Sequence, residues 1–552
     1  MARGHSLQNV PIPRFPRARF NLSHSVTTSM DVGTLYPIDW QEVIPGDVFK
    51  CRAFDVSRVT SSFLKPVMDN LFLDVYHFFV PHRLVYDNFE KVFGNPNPSA
   101  YTDNDFEEVP MVSGPSIQVG SIADYLGLPV GATIPNENPV SILPFRSFAL
   151  IYDKYFRNEN TTDEIFVQKG AMQPSEVLNN NAFGPNNYTG RPPKVNKYKD
   201  YFTSCVPNPQ KGGPVSIGLA GNAPVVTTSS NAVRNPSAPP LKFAGTGLPS
   251  WIGGKDTALF IEGSGNPVAS LYAPAGNIDH QLGGYNMFPI NLEADLSAST
   301  GVSVDDLRLA FAYQKMLERD AIYGSRYNEY LYGHFGVHIP DAYLQFPQYL
   351  GGGRTPLNIV QVAQTSQGTE ESPLGNVGAY SWTNGRTGYS RKFKEHGIVM
   401  TVACLRYRHT YQQGIAKKWR RKVREDFYDP LFSTIGQQPV YTTELYGMST
   451  VSKDSVFGYR EAWSELRSIP NTISGEMRSG ATNSLDIWHF ADNYSSAPTL
   501  SQSFTEETPT YVDRTLSVPS TSQDNFILNF YFDMSAVRKM PFYSMLSLSD
   551  YP

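Results

Sequence analysis

The chain of 552 residues carries a net charge of −5, with 18% charged and 13% aromatic side chains. That balance excludes a protein that holds nucleic acid by its total charge, so any such contact must come from local clusters. Aromatic enrichment with charge depletion is the composition of cores and interfaces, and 43 Gly and 42 Pro require many turns and long irregular connections.

Residues 1–30 hold Arg3, Arg14, Arg17 and Arg19 and no acid. Pro11, Pro13 and Pro16 keep the segment extended. It reads as a basic arm with little packing potential, suited to a polyanion. Residues 31–60 read as turn and strand pieces, with Pro45, Gly46 and Asp47 forming a tight turn. Residues 71–80 are apolar or aromatic apart from Asp74 and His77, the pattern of a strand buried on both faces. Residues 83–93 then repeat Leu84, Val85, Phe89, Val92 and Phe93 at helical spacing, with Gly94 placed as a C-cap. Ser121 and Asp124 cap a short helix over 121–127. Phe145, Phe148, Ala149, Tyr152, Tyr155 and Phe156 predict an amphipathic helix over 142–158.

Composition shifts near Val215. Residues 216–300 are rich in Gly, Ala, Ser, Pro and Asn, with short β-like runs and no helical period. Trp251, Ile252, Phe260 and Phe288 argue that this excursion is ordered and functional rather than a linker. A capped helix follows over 307–335, broken around Gly324, and 398–405 and 526–532 read as strands. Short strands, with helices confined to long connections, predict a mainly β sandwich with enlarged loops. The expected segments are 1–30, 31–215, 216–300 and 301–552.

Enzyme signatures are weak. Ser62 and Lys65 match a serine–lysine pattern without its partner motifs. Gly351, Gly352 and Gly353 read as a turn before Arg354. His334 and His338 are four apart, but Gly336 and Pro340 argue against the continuous helix a metal pair would need. Cys51, Cys205 and Cys404 are widely spaced, without C-x-x-C, which predicts reduced thiols. The first residues lack the apolar core of a secretory signal. No cofactor or metal is predicted.

The strongest local charge is Lys417, Lys418, Trp419, Arg420, Arg421, Lys422 and Arg424, six cations around a tryptophan. Phosphate contact with base stacking on Trp419 is one reading. A solvated helix face paired with Glu425, Asp426 and Asp429 is the other.

Collinear strings then narrow the field. Pro66-Val-Met-Asp-Asn70, Asp200-Tyr-Phe-Thr-Ser-Cys205, His334-Phe-Gly-Val337, Glu395-His-Gly397, Tyr411-Gln-Gln-Gly414 and Phe457-Gly-Tyr459 resemble the major capsid protein of the gokushovirus group of Microviridae, small icosahedral single-stranded DNA bacteriophages. The resemblance lapses only across about 216–300, and Tyr86 and Phe89 stand where tryptophans are common in the family. It implies an eight-stranded antiparallel jelly roll with large insertions and sixty copies in a T=1 shell. It also implies protrusions at the three-fold axes used in host attachment, by position 216–300, with Trp251, Phe260, Tyr272 and Tyr285 as exposed candidates. DNA would be held inside by the arm and by 417–424. The implied partners are further copies of the chain, the single-stranded DNA genome, an internal scaffolding protein, a DNA pilot protein, a small DNA-binding protein and a host receptor. The implied place is the virion, after synthesis in the bacterial cytoplasm. The rival reading is a jelly-roll glycan-binding or glycan-cleaving protein, which would need paired carboxylates in a groove.

Overall fold

Alternation builds the wall of the fold. In Val48–Val59, Phe49, Cys51, Ala53, Asp55 and Ser57 are buried while Lys50, Arg52, Phe54 and Arg58 are exposed, the period-2 signature of a strand with one wet face. The computed structural model describes residues 16–93, 107–114, 117–131, 133–135, 137–171, 176–185, 187–215, 304–324, 326–363, 377–448 and 451–543, with the backbone of seven short strands between 225 and 294. It divides into two compact units, Met1–Lys211 with Glu318–Pro552, and Gly212–Leu317.

The main strands of the first unit are β1 (Ala18–Asn21), β2 (His24–Met30), β3 (Leu35–Val43), β4 (Val48–Val59), β5 (Leu71–Pro81), β6 (Gln348–Pro356), β7 (Ile359–Ala363), β8 (Val377–Lys392), β9 (Gly397–Tyr407) and β10 (Phe526–Arg538). One antiparallel sheet runs β1-β10-β4-β8-β7, with β2 also on β10. The other runs β6-β5-β9-β3. Apolar side chains from both sheets fill one core, including Phe49, Phe530 and Phe532 from the first and Leu73, Phe79 and Leu405 from the second. The second sheet is covered on its other face as well. There Phe78, Val80, Met400 and Val402 pack with the helix Leu143–Ile151, so 71–80 is doubly buried as expected.

Of the expected arm, residues 18–30 are strands β1 and β2, paired with β10 about 500 positions away, from Ala18 opposite Arg538 to Met30 opposite Phe526. Their polar alternation hides a strand whose partner is not local. Residues 83–93 are not one helix but a 3₁₀ turn, His82–Leu84, and a short helix α1, Phe89–Phe93. The Asp87 N–H donates to the Lys169 carbonyl at 2.8 Å, outside any helix, and interrupts the period. Ser121 does cap its helix α2, Ile122–Tyr125, by accepting from the Asp124 N–H. The helix over 142–158 is α3, Leu143–Ile151, continued by a π turn, Tyr152–Phe156. All nine residues of α3 are buried, so it is enclosed rather than amphipathic. Its Arg146 is fully buried, with Nε and Nη2 on the Glu176 carboxylate at 2.9 and 2.8 Å. The long helix is α4, Val304–Tyr323, and α5, Tyr327–Phe335, separated at Gly324 with φ of 106°.

Gly351, Gly352 and Gly353 lie inside β6, not in a turn. A Cβ on Gly351 would stand 2.8 Å from the Gly388 carbonyl oxygen of β8, in the other sheet, and one on Gly353 2.8 Å from Thr387 of the same strand, so these two glycines let the sheets approach. Gly351→Ala should therefore force the sheets apart and destabilise the fold by about 1–3 kcal/mol, read by urea unfolding. An unchanged midpoint would show that the contact is soft.

In the second unit, Lys242–Gly245 lies between Thr257–Ala258 and Met287–Pro289, and Phe260–Glu262 pairs with Ser270–Tyr272. Val225–Thr227 pairs with Leu292–Ala294, and every pair is antiparallel.

Candidate nucleic-acid interface

The 417–424 segment leaves β9 through the string Tyr411-Gln-Gln-Gly414, which fixes where it starts. Tyr411 Oη donates to Asp200 at 2.5 Å. The Gln412 amide donates to the Asp492 carbonyl at 3.0 Å and accepts the Ser479 N–H at 2.8 Å. Gln413 makes the same paired contacts with the Tyr494 backbone. A Cβ on Gly414 would lie 1.8 Å from the Glu444 carbonyl oxygen, so only glycine admits that passage. These contacts fix the start of the cation segment, which then meets a hairpin, Gln437–Tyr441 with Val456–Glu461, through Lys417 and Gln438.

The segment itself is not a helix face. It is a 3₁₀ turn, Lys417–Arg420, then extended backbone, then a second turn, Arg424–Asp426. Arg421 pairs with Glu465 at 3.3 Å, and Arg420 donates to the Lys453 carbonyl at 3.2 Å. Lys417 donates to Gln438 at 3.4 Å, and the Gln438 oxygen also accepts the Trp463 N–H. Trp463 is buried with φ of 64°, and its indole N–H donates to the Phe432 carbonyl at 3.3 Å, tying down the chain that follows. Asp426 accepts the Val423 and Lys422 N–H groups at 2.9 and 2.7 Å, and these hold its carboxyl below the usual range.

The two readings of this segment thus divide by residue. Lys417, Arg420 and Arg421 are partly buried and have protein partners. Lys418, Lys422 and Arg424 are exposed, and no carboxylate pairs with them among the described residues. Trp419 stands between them, 78% exposed. Next to the segment lies a cavity of about 360 Å³ with Tyr201, Phe202, Tyr411 and Ile469 in its wall and Lys417, Lys418, Arg421 and Arg478 beside them. Burial pushes Glu444 at this cavity above the usual carboxylate range, although it accepts from Tyr201 Oη at 2.9 Å. An aromatic wall beside Lys418, with the exposed indole of the next residue, can hold a base and its phosphate without reading sequence. Sequence reasoning missed the cavity because its wall is drawn from three segments far apart in the chain. The signal that pointed to it was the aromatic Tyr201-Phe202 pair within a matching string.

The other expected contact residues lie elsewhere. Arg17 is exposed just before β1, and Arg19 on β1 donates to Ser535 at 3.3 Å. Arg3 and Arg14 lie outside the described residues, as do Trp251 and Tyr285. Phe260 and Tyr272 are direct partners across one ladder of the second unit.

Ser62 Oγ meets Ser517 Oγ at 3.4 Å. His334 Nε2 lies 2.9 Å from Asp320, and Gly336, with φ of 68°, ends α5 before His338. Cys51, Cys205 and Cys404 are free and buried. Among the described residues no helix is long and apolar enough to cross a membrane, and no three His, Cys, Asp or Glu are grouped to hold a metal.

Comparison with known proteins completes the picture. The family model described as capsid protein (F protein) matches residues 8–548. The chain is 37% identical to capsid protein VP1 of Spiroplasma virus 4, covering 98% of this chain and 97% of that one. It is 35% identical to capsid protein VP1 of Bdellovibrio phage phiMH2K, with the same coverage. It is 34% identical to capsid protein VP1 of Chlamydia phage 1, over 99% of this chain and all of that one.

Proposed function

The chain belongs to the F-type phage capsid protein family, and from that premise we propose that it closes a T=1 shell of sixty copies around circular single-stranded DNA. As a capsid protein it is a structural component of the virion and not an enzyme, and it assembles with copies of itself. The observation that carries the finer reading is strand order. Numbering β2, β3, β4, β5, β6, β8, β9 and β10 from one to eight, strand one pairs with eight, two with seven, three with six and four with five. That nesting is one long antiparallel hairpin. Folded over so that eight also meets three and seven meets four, it supports the reading of the fold as an eight-stranded jelly roll. The β5–β6 connection spans residues 82–347 and the β9–β10 connection 408–525, so the insertions are large. Closed symmetry then turns aromatic surface into a shell.

In this reading 216–300 forms the protrusion that meets the host receptor, with Trp251, Phe260, Tyr272 and Tyr285 as contact candidates. The scaffolding, pilot and small DNA-binding proteins of the family are its assembly partners. Electron microscopy of the chain co-expressed with the scaffold should show closed shells. A chain that stayed monomeric with scaffold present and cleaved a polysaccharide would overturn it.

The genome contact is assigned to Lys418, Trp419, Lys422 and Arg424, with Lys417, Arg420 and Arg421 holding the segment in place. The triple variant K418Q/K422Q/R424Q should still form shells but package less DNA. Its affinity for single-stranded DNA should lose about 2 units of salt slope, from three lost phosphate contacts. Normal packaging by this variant would remove the segment from the genome interface.

A further inference from the structure

We infer that the open face of the β1-β2-β10-β4-β8 sheet is a single-stranded DNA platform, and hence the face turned toward the genome. The inference rests on the reading of the chain as a DNA-enclosing shell protein, but it uses a different surface from 417–424. The observation is the register of the sheet. On the wet face, Ile527, Arg58 and Trp382 stand in one row across β10, β4 and β8. Four residues along the strands, Tyr531, Phe54 and Arg386 form another row. Arg52 occupies the next row, Lys50 the one after, and Lys392 and Arg19 the last, opposite Val48 and Val537. Each of these cations is exposed. The strands contribute a single acid to this face, Asp533, so six cations leave it formally at +5. The chain as a whole is at −5, so the concentration of positive charge on one face is selective.

The aromatic side chains are placed to complement that charge. Trp382 and Tyr531 are each 46% exposed and Phe54 is 37% exposed. Arg386 lies over the Phe54 ring with its Cζ 5.5 Å from the centroid. Flat rings beside guanidinium groups that form no ion pair among the described residues offer a stacking surface for unpaired bases and a track for their phosphates. Double-stranded DNA would present no free base faces to these rings, so the occupant is a single strand held without sequence preference. A second copy of the chain with an acidic surface is the competing occupant, and the test separates the two.

The experiment uses the full-length protein, fluorescein-labelled (dT)20 and an abasic strand of equal length, with anisotropy read over a range of salt. R52Q/R58Q/R386Q should weaken both probes and lower the salt slope by about 2. Trp382→Ala and Tyr531→Ala should each weaken (dT)20 by about tenfold while leaving the abasic strand and the salt slope unchanged. These are exposed positions, and circular dichroism of each variant confirms the fold. K418Q/K422Q/R424Q is measured beside them, so loss of one surface is distinguishable from loss of the other. Parental affinity in the sheet-face variants overturns the proposal. So does a result in which they bind DNA normally but lose self-association, which would make the face a contact between copies.

Discussion

Asp74→Ala should cost the fold about 3–5 kcal/mol, the expected penalty for removing one partner from a buried ion cluster. Asp74 is the one acid in the doubly buried strand β5 and is fully buried. Arg354 Nε of β6 meets its Oδ1 at 2.7 Å, Arg406 of β9 donates to Oδ2, and Tyr198 Oη donates to Oδ2 at 2.8 Å. Both guanidinium groups also pack on the Tyr198 ring, with Cζ atoms 4.1 and 4.4 Å from its centroid. Burial pushes the Asp74 carboxyl up, but the Arg354 hydrogen bond, the Arg406 charge and Tyr198 together hold it below the usual range. The stabilisation is therefore present above the ordinary carboxylate pKa and is lost as pH falls through the lower folded value. Without Asp74, Arg406, only 12% exposed, is left without a carboxylate partner, while Arg354, 43% exposed, can turn to solvent. Asp74→Leu with Arg406→Met should recover much of the loss, because it removes the orphaned charge rather than restoring the pair. Urea unfolding of the soluble subunit reads both. A loss below about 1 kcal/mol in Asp74→Ala would mean that the cluster is not structural.

That cluster also marks what could be read from the chain. Leu73 and Phe79 announce β5 because a wall buried on both faces needs an apolar run. Asp74 within that run was visible, but its partners 280 and 332 positions away were not. The same distance hid β1 and β2, whose polar residues become strands only by pairing with β10. Gly324 announced the break between α4 and α5 because a local backbone preference decides it. On the sheet face, the alternation of Lys50, Arg52 and Arg58 with buried residues was legible in β4 alone. Its meaning depends on register with Arg386 and Trp382, which no local pattern carries. The 417–424 cluster was legible as charge, while its division into free and paired cations is a product of folding.

His409 should set the alkaline limit of stability. It follows β9, is 99% shielded in its side chain, and lies between Asp492, at 2.7 Å from Nδ1, and Glu507, at 3.0 Å from Nε2. Both ring nitrogens face carboxylates, so both donate and the ring is an imidazolium. Burial lowers its pKa, but the Asp492 and Glu507 charges outweigh this and raise it to about 9. Lys197, 3.7 Å from Asp492, lies in the β5–β6 insertion, and Asp492 and Glu507 lie in the β9–β10 insertion. The cluster thus fastens the two insertions to each other. A folded pKa above the unfolded 6.5 gives stability that is complete below pH 6.5 and is lost as pH rises through 9, about 3 kcal/mol in all. His24 is raised to about 9 by its hydrogen bond to Asp39 and titrates in the same window, so the measurement belongs in a His24→Gln background. His77 and His82 bound the other side. Burial lowers both to about 4, so their contribution is present above pH 6.5 and is lost as pH falls toward 4. Stability should therefore peak near neutrality. His409→Gln should lower that peak by about 3–5 kcal/mol, since two buried carboxylates then face each other without a cation between them. It should also flatten the decline between pH 7 and 9, because the titrating group is gone. An alkaline decline of unchanged depth in His24→Gln/His409→Gln would place the limiting proton elsewhere.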